Sequence, residues 1–421
     1  MKLFFLFGLF LLCPKISYAY IDPATGNAFF TLAITIISAI LFGLQYIASH
    51  LFMLKGISFK KNNRIKLLLF SEGNQYWTWF EPILDELERR QIDTTYYTAS
   101  SDDLCFQKNY HHVHPFFIGK GNKAYAKMAF VRADIVLMTT PGLDVYQLKR
   151  SKHVKKYVHF YHAFADCCSY RLFGTDYYDA LLLDNAINGT YVRELEQKRN
   201  LPPKELVIVG NILLDKMKKE KREKEVKIKG NKTILIAPSW GKESMLYKYG
   251  EKILSSLSDM PYNIIIRPHP QMKIDNPRLL EQLQKEYMHI SKITWDFERE
   301  GLKSMSNSDI MISDFSGIVF EYAFIYKKPV ITLSKEMNIE MYDVSDLDKP
   351  TWKYQVWKQL GHALNAQEIQ ELPKIIEHLL QSNISEHIEK VAQCYWEQQG
   401  NCIRNIVNYL ENNLKKDSIK S

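Results

Sequence analysis

The sequence predicts an α/β protein built from two Rossmann-like domains with a cleft between them. Short apolar runs alternate with polar or helical segments along most of the 421 residues, which is the spacing of repeated β-α units. A strongly charged stretch, 216–232, separates a first series of these units from a second. In the second series, apolar strands run directly into small polar turns. Two doubly wound halves are the natural architecture for this pattern.

The predicted domains follow from this alternation. The first, 64–215, has strand-like runs at 65–70, 94–98, 114–118, 135–139, 157–161, 180–183 and 206–209, and an amphipathic helix at 76–90. The second, 233–385, has predicted strands at 233–237, 263–266, 310–312 and 330–333, with helices at 247–257, 277–287 and 318–326. We interpret 216–232 as a solvated linker and 386–421 as a C-terminal helical segment.

The charge of the chain limits its partners. The formal net charge is +8, from 55 basic and 47 acidic residues. It suits anionic partners such as nucleotides or phospholipid headgroups, and it is too diffuse to predict nucleic-acid binding. The six cysteines show no metal spacing. We expect no metal site, although three clustered histidines form an alternative: His111, His112 and His114.

The N-terminal 54 residues resemble targeting segments. Residues 1–19 have the basic start, apolar core and small-residue end of a secretory signal. Residues 28–54 carry no Asp, Glu, Lys or Arg and are long enough to span a bilayer as one helix. Basic residues follow directly, so we predict a single-pass protein of the cell membrane with its catalytic body in the cytoplasm. A buried hairpin is the alternative.

The stretch from Ser308 to Tyr322 predicts a phosphate site. A buried strand, 310–312, runs into a small polar turn and then into a helix that begins near Ile318. Ser316 is a suitable N-cap, Gly317 permits close approach of a ligand, and the helix dipole favours an anion there. The candidate ligand-binding residues in this stretch are Ser313, Asp314, Ser316, Gly317 and Glu321.

Glu321 lies one turn into that helix, on a face that is mostly apolar. A carboxylate in such a place needs a partner. The two hydroxyls of a ribose would suit it, whereas a bond to a neighbouring backbone group or lysine is the structural alternative.

Polar side chains also follow two other predicted strands of the second domain. We call the loop that directly follows the carboxyl end of a strand its exit. Arg267 and His269 alternate with two prolines after one strand, so that they stand on a stiff turn where arginine suits phosphate. Ser239 and Lys242 follow another strand. All three exits should converge on one edge of the sheet, and this convergence is stronger evidence for a ligand site than any single exit. For the exit with Arg267 and His269, the structural alternative is a proline-stiffened loop with a packed histidine.

His162 ends a strand in the first domain. A histidine at that position can accept the proton of an attacking hydroxyl near neutral pH. We therefore take His162, with Arg267 and His269, as the candidate catalytic residues.

Together these motifs resemble the CDP-glycerol glycerophosphotransferase family of teichoic-acid-type polymer synthesis. The residues that carry the resemblance are Gly210 to Asp215, Ala237 to Trp240, Arg267 to Pro270, Ser313 to Gly317, and Glu321 with Tyr322. The likeness covers roughly 157–333. It implies a glycosyltransferase-B-type fold, a second domain that binds the CDP end of the donor, and a first domain that presents the acceptor.

The resemblance also implies roles for single residues. It makes His162 the catalytic histidine, His269 with Arg267 a phosphate contact, the turn 313–317 the pyrophosphate site, and Glu321 the ribose contact. The chain departs from the family at Ala163 to Ala165, where a glycine, a proline and a lysine are usual, and at Gly241, where an arginine is usual.

The functional hypothesis is a transferase in cell-envelope biosynthesis. It would move glycerol phosphate, or a similar polyol phosphate, from a CDP-linked donor to a hydroxyl of a lipid-linked glycan or teichoic-acid-like polymer. No cofactor is indicated, and a role for magnesium stays open. The alternatives are a nucleotide-sugar glycosyltransferase of the same fold, a membrane-anchored nucleotide-binding protein without turnover and, more distantly, a sugar-nucleotide epimerase.

Overall fold

The computed structural model describes residues 64–223, 230–298, 301–314, 316–333 and 339–419. Two separate parallel β-sheets form its framework, one of seven strands and one of six. We call the two halves built on them the first and second lobes.

The first sheet has the strand order β3-β2-β1-β4-β5-β6-β7, and every pairing is parallel. Its strands are β1 (Ile65–Ser71), β2 (Thr94–Thr98), β3 (Val113–Phe117), β4 (Ala133–Met138), β5 (Val154–Phe160), β6 (Ala180–Leu183) and β7 (Glu205–Ile208). The helices of this lobe are α1 (Trp77–Arg89), α2 (Asn122–Met128), α3 (Ala186–Lys198) and α4 (Ile212–Glu223). The central strands are buried on both faces, as the continuous apolar runs predict.

The second sheet has the order β10-β9-β8-β11-β12-β13, again all parallel. Its strands are β8 (Thr233–Ala237), β9 (Asn263–Ile266), β10 (Ile293–Trp295), β11 (Ile310–Ser313), β12 (Val330–Leu333) and β13 (Gly361–Leu364). The remaining helices are α5 (Met245–Leu257), α6 (Met272–Asp275), α7 (Pro277–Tyr287), α8 (Leu302–Asn307), α9 (Ile318–Tyr326), α10 (Trp352–Val356), α11 (Leu372–Gln381), α12 (Ser385–Tyr395) and α13 (Cys402–Ile419).

These sheets confirm the predicted α/β class. In each sheet the strand order reverses beside its first strand, between β1 and β4 and between β8 and β11. Ligands bind outside the carboxyl ends of the strands at such a reversal. Because β9, β8 and β11 are neighbours, the three polar exits of the second lobe meet at one edge, as predicted.

Two strands were not predicted. β10 has only three residues and β13 only four, and both lie at the edges of the sheet. Edge strands need less apolar character than buried ones, so the apolar-run criterion passes over them.

The last helix belongs to the core of the first lobe. Cys402, Ile406 and Leu410 of α13 pack in the same cluster as Leu67 of β1 and Phe80 of α1. The carboxylate of Asp215 accepts hydrogen bonds from the amides of Gly400 (2.7 Å) and Cys402 (3.0 Å), just where α13 begins. The predicted helical segment 386–421 thus contains most of α12 and all of the described α13, and α13 returns to the first sheet.

The predicted linker also needs a correction at its start. Helix α4 extends to Glu223, and its residues Leu214 and Met217 are buried against the core of the second lobe. Among the described charged side chains of the helix, Lys219 is exposed and Lys216, Lys218, Glu220 and Lys221 are partly buried. Residues 224–229 of the linker lie outside the described residues.

A segment from the second lobe docks on the first. Asp343 accepts hydrogen bonds from the amides of Phe173 (2.7 Å) and Gly174 (3.2 Å). Arg199 bridges the two lobes, because it forms ion pairs with Asp176 (2.7 Å) and with Asp343 (2.8 Å).

No helix within the described ranges has the length and apolar character needed to cross a bilayer. The predicted signal, 1–19, and the predicted span, 28–54, both lie outside those ranges.

Candidate functional site

Asp314 links the exits of β11 and β8. Its carboxylate accepts hydrogen bonds from the amides of Ser239 and Met245, both at 2.9 Å. Burial raises the pKa of this carboxyl group, while the two amides lower it. The structure therefore gives Asp314 a structural role in shaping the edge, rather than the direct donor contact that we expected.

Ser313 has a similar role. Its hydroxyl is fully buried and donates to the carbonyl of Ala237 at 2.6 Å, so it ties β11 to β8. Ser239 differs, because its buried hydroxyl makes no hydrogen bond of ordinary geometry among the described residues, although it lies close enough to Asp314 to help lower the pKa of that carboxyl group. Lys242 is exposed on the following turn. Of these four residues, Ser239 and Lys242 keep polar groups that could bind a ligand.

The N-terminus of α9 is not capped as predicted. Gly317, and not Ser316, occupies the N-cap position, and no side chain caps the helix. Ser316 and Gly317 are partly buried, and Gly317 has an ordinary helical φ of −62°. Backbone amides and the helix dipole therefore remain the features of this turn that favour an anion.

Arg267 is held in place by acidic and carbonyl groups. Its Nη1 forms an ion pair with Asp296 at 2.6 Å, and its Nη2 donates to the carbonyl of Glu298 at 2.9 Å. Both terminal nitrogens of Arg267 are thus engaged, which corrects the expectation that its guanidinium is free to contact phosphate with both of them. Asp296 follows β10, a strand that the sequence did not predict, so its role as the anchor of Arg267 was missed.

His269 is positioned by the proline-stiffened turn. Its Nδ1 accepts the amide hydrogen of Gln271 at 3.1 Å, and its ring lies 6.2 Å from that of Trp240. Burial lowers the pKa of His269, and the charges of Asp314 and Asp275 raise it in part. A neutral ring whose Nδ1 accepts must carry its proton on Nε2. His269 can therefore donate one hydrogen bond from Nε2 to a ligand.

Glu321 lies on α9 within electrostatic range of Arg267. Burial raises the pKa of its carboxyl group to about 7, and the charge of Arg267 lowers it in part. Desolvation is thus the dominant influence on this carboxylate. A partly buried acid that titrates near neutrality, one turn from a helix start, is a candidate ligand contact.

The pKa of Glu321 gives a test of its burial. Its folded-state pKa exceeds its ordinary value, so its contribution to stability is present below about pH 4.5 and is lost as the pH rises through 7. Glu321→Gln should therefore unfold at a higher temperature than wild type at pH 8, and the two should converge near pH 4.5. Thermal unfolding across this range checks it. The exposed Glu377→Gln is the control, and a constant difference at all pH values would contradict the assignment.

His162 stands on the loop after β5, surrounded by aromatic rings. Tyr76 and Trp79 contact it edge-on, with ring centroids 5.2 and 5.7 Å away. Burial lowers the pKa of His162 to about 4. The imidazole is therefore neutral at physiological pH and has a nitrogen that can accept a proton.

A hydroxyl fixes the orientation of that imidazole. Thr139 Oγ1 lies 2.9 Å from Nδ1 of His162, and Thr139 itself is buried at the end of β4. Thr139 was missed because threonine is common in strands; its place at a strand end beside the strand of His162 was the available signal. His159, three residues earlier, is fully buried in the same aromatic cluster.

The loop of His162 approaches the turn of the second lobe. A Cβ placed on Gly317 would lie 3.8 Å from the carbonyl oxygen of Phe164. The ring of Phe164 packs against Phe320 and Phe324 of α9, with centroids 6.0 and 5.5 Å away. This packing brings the predicted acceptor loop and the predicted phosphate turn together, as the two-domain hypothesis requires.

Within the described part of the chain, no group of three or more His, Cys, Asp or Glu side chains is arranged to hold a metal ion. In the histidine cluster considered above, Nδ1 of His112 faces Asp93 at 3.2 Å.

Comparison with known families identifies a related family. Residues 177–346 match the family described as CDP-glycerol:poly(glycerophosphate) glycerophosphotransferase. The matched segment contains Arg267, His269, the turn before α9 and Glu321, whereas His162 precedes it. No curated protein sequence matches the chain.

Several solved structures share the fold. The wall teichoic acid polymerase TagF, in a variant soaked with CDPG, has a TM-score of 0.52 at 14% identity and covers 90% of this chain and 98% of its own. The UDP-GlcNAc 2-epimerase of Methanocaldococcus jannaschii has a TM-score of 0.53 at 17% identity, with coverage of 83% and 100%. The enzyme of Neisseria meningitidis bound to UDP-GlcNAc gives 0.53 at 16%, with the same coverage. At these identities the likeness supports the two-sheet fold alone.

Proposed function

We propose a reaction for this chain, which belongs to the CDP-glycerol glycerophosphotransferase family and is a glycerophosphotransferase-like enzyme. It would transfer glycerol phosphate, or a similar polyol phosphate, from a CDP-linked donor to a hydroxyl of a lipid-linked glycan or teichoic-acid-like polymer. The contact of the His162 loop with the turn at Gly317 carries this proposal. This contact supports the proposal that the neutral imidazole of His162 and the start of α9 act on the same substrate pair.

The donor would bind to the second lobe. Its pyrophosphate would lie at the amides that begin α9, where the helix dipole favours negative charge. Glu321 would accept hydrogen bonds from the ribose hydroxyls, and Ser239 and Lys242 would contact the donor from the neighbouring exit. Arg267, held by Asp296, would add positive charge without a bidentate phosphate contact.

The acceptor hydroxyl would react from the side of the first lobe. Its oxygen forms a bond to the β-phosphorus of the donor, while its proton passes to His162. The bond between the β-phosphorus and the bridging oxygen breaks, and CMP leaves with the electron pair. His269 would donate from Nε2 to the oxygens on which negative charge develops.

We further propose that the enzyme acts at the cell membrane, with its catalytic body in the cytoplasm. The uncharged run at 28–54 and the basic residues that follow it support this placement. A lipid-linked acceptor would be reached most directly from such an anchor.

A donor screen tests the proposal. The full chain in detergent is incubated with CDP-glycerol, a CDP-linked pentitol, UDP-sugars or GDP-sugars and a polyol-phosphate acceptor, and released nucleotide is measured. We expect CMP release from CDP-polyols alone. Release of UDP or GDP without CMP would favour a sugar-nucleotide enzyme instead. Binding of CMP without release from any donor would favour a binding protein.

A further inference from the structure

A basic cavity lies at the opposite end of α9 from the proposed donor site. It has a volume of about 300 Å³ and contains Lys218, Lys221, Lys327 and Glu389, with Phe324 and Trp396 as apolar walls. We call it the hinge pocket, because α4 leads from the first lobe to the second, and α12 with Trp396 leads back to α13 of the first. A ligand in the hinge pocket would contact both segments that connect the two lobes.

The three ammonium groups have few acidic partners. Lys327 forms an ion pair with Glu389 at 2.8 Å. Lys218 donates to the side-chain oxygen of Gln399 at 2.7 Å, and Lys221 donates to the carbonyl of Ile325 at 3.1 Å. The pocket lining thus holds three cations and one carboxylate.

Neutral oxygens satisfy a hydrogen bond but do not neutralise a charge. An ammonium has three donors, and the contacts just given use one donor of each lysine. Aromatic rings provide the other close contacts, since Lys218 lies 5.0 Å from the ring centre of Trp396. Outside the pocket lining, Asp215 lies within electrostatic range of Lys218. The excess of partly buried positive charge within the lining favours the entry of an anion.

The electrostatics of Lys327 agree with this excess of positive charge. Burial lowers the pKa of Lys327, and the charges of Lys218 and Lys221 lower it further, against the effect of Glu389. The side chain is therefore held among like charges by its single carboxylate partner.

We propose that the hinge pocket binds a small phosphate-bearing anion. A phosphate has enough oxygens to accept from all three lysines, and the apolar walls leave room for a short carbon chain. Inorganic phosphate and a polyol phosphate share this chemistry.

Calorimetric titration of the full chain in detergent, at constant ionic strength, tests the site with inorganic phosphate and glycerol 3-phosphate as probes. We expect both to bind, and the tighter one identifies the source of the anion. Lys218→Met should weaken binding by about tenfold or more, because a charge-assisted hydrogen bond is lost. Glu389→Gln should tighten it by a few-fold, because it removes the carboxylate that competes with the anion.

The controls separate the hinge pocket from the donor cleft. Lys374→Met removes an exposed lysine that pairs with Glu371 at 2.7 Å, and it should leave the affinity unchanged. His269→Ala alters the cleft and should not affect this binding either. Unchanged affinity in both Lys218→Met and Glu389→Gln would overturn the proposal, as would binding that is lost in His269→Ala. Thermal unfolding of each variant verifies that it is folded.

Discussion

Replacing His162 with alanine should slow transfer by about 10²–10⁴-fold, the usual effect of losing a general base, while donor affinity stays nearly unchanged. The hydroxyl of an acceptor is a poor nucleophile until a base accepts its proton. His162 is neutral at physiological pH because burial lowers its pKa to about 4. The donor is proposed to bind to the other lobe, so its affinity should not depend on this ring.

Transfer rate and donor affinity, the latter by calorimetry, should be measured side by side for wild type, His162→Ala and His162→Gln. Glutamine can still hydrogen-bond to Thr139 but cannot accept the proton, so it should be as inactive as alanine. The exposed His111→Ala is the matched control and should behave as wild type. Transfer within a few-fold of wild type in His162→Ala would end the proposed mechanism, and a parallel loss of donor binding would place His162 in the nucleotide site.

Replacing His269 with alanine should lower kcat by about 10²–10³-fold, by analogy with the loss of one oxyanion donor, which is worth about 2.7–4 kcal/mol. The amide of Gln271 occupies Nδ1, so the proton of the neutral ring points away on Nε2. A hydrogen-bond donor held in this position stabilises the negative charge that develops in the transition state more than the charge of the bound substrate. The decrease should therefore appear mainly in kcat.

Steady-state kinetics of His269→Ala and His269→Gln check this expectation. The side-chain amide of glutamine can donate a hydrogen bond, so His269→Gln should recover part of the activity. His289→Ala, which removes an exposed histidine of the same lobe, should have no effect. A normal kcat with a raised KM would show that His269 binds donor without assisting the chemical step.

Arg267→Ala would be a less informative variant than it appears from the sequence. Its guanidinium neutralises Asp296, which is itself partly buried. Removing the arginine would leave that carboxylate unpaired, and loss of a partner from such a pair is strongly destabilising. A fall in activity could then reflect folding of the edge rather than chemistry.

Local sequence was sufficient to predict most of the strands and the polar exits that follow them. Buried parallel strands are short apolar runs, and a proline pair or a Ser-Gly turn marks where each run ends. For that reason β2, β6, β8, β9 and β12 have the predicted bounds, and their polar exits follow from them. The same criterion missed β10 and β13, which are short edge strands, and hence it missed the partner of Arg267.

The sequence by itself determined the α/β class, the two series of β-α units and the residues that reach the edge of the second sheet. Only the tertiary structure decided what those residues do there. Asp314 and Ser313 are occupied by backbone groups, Arg267 is paired with Asp296, and His162 is oriented by Thr139. The physical reason is that strand periodicity is a local property of the chain. The partner of a polar side chain is instead chosen by packing between segments that are far apart in sequence.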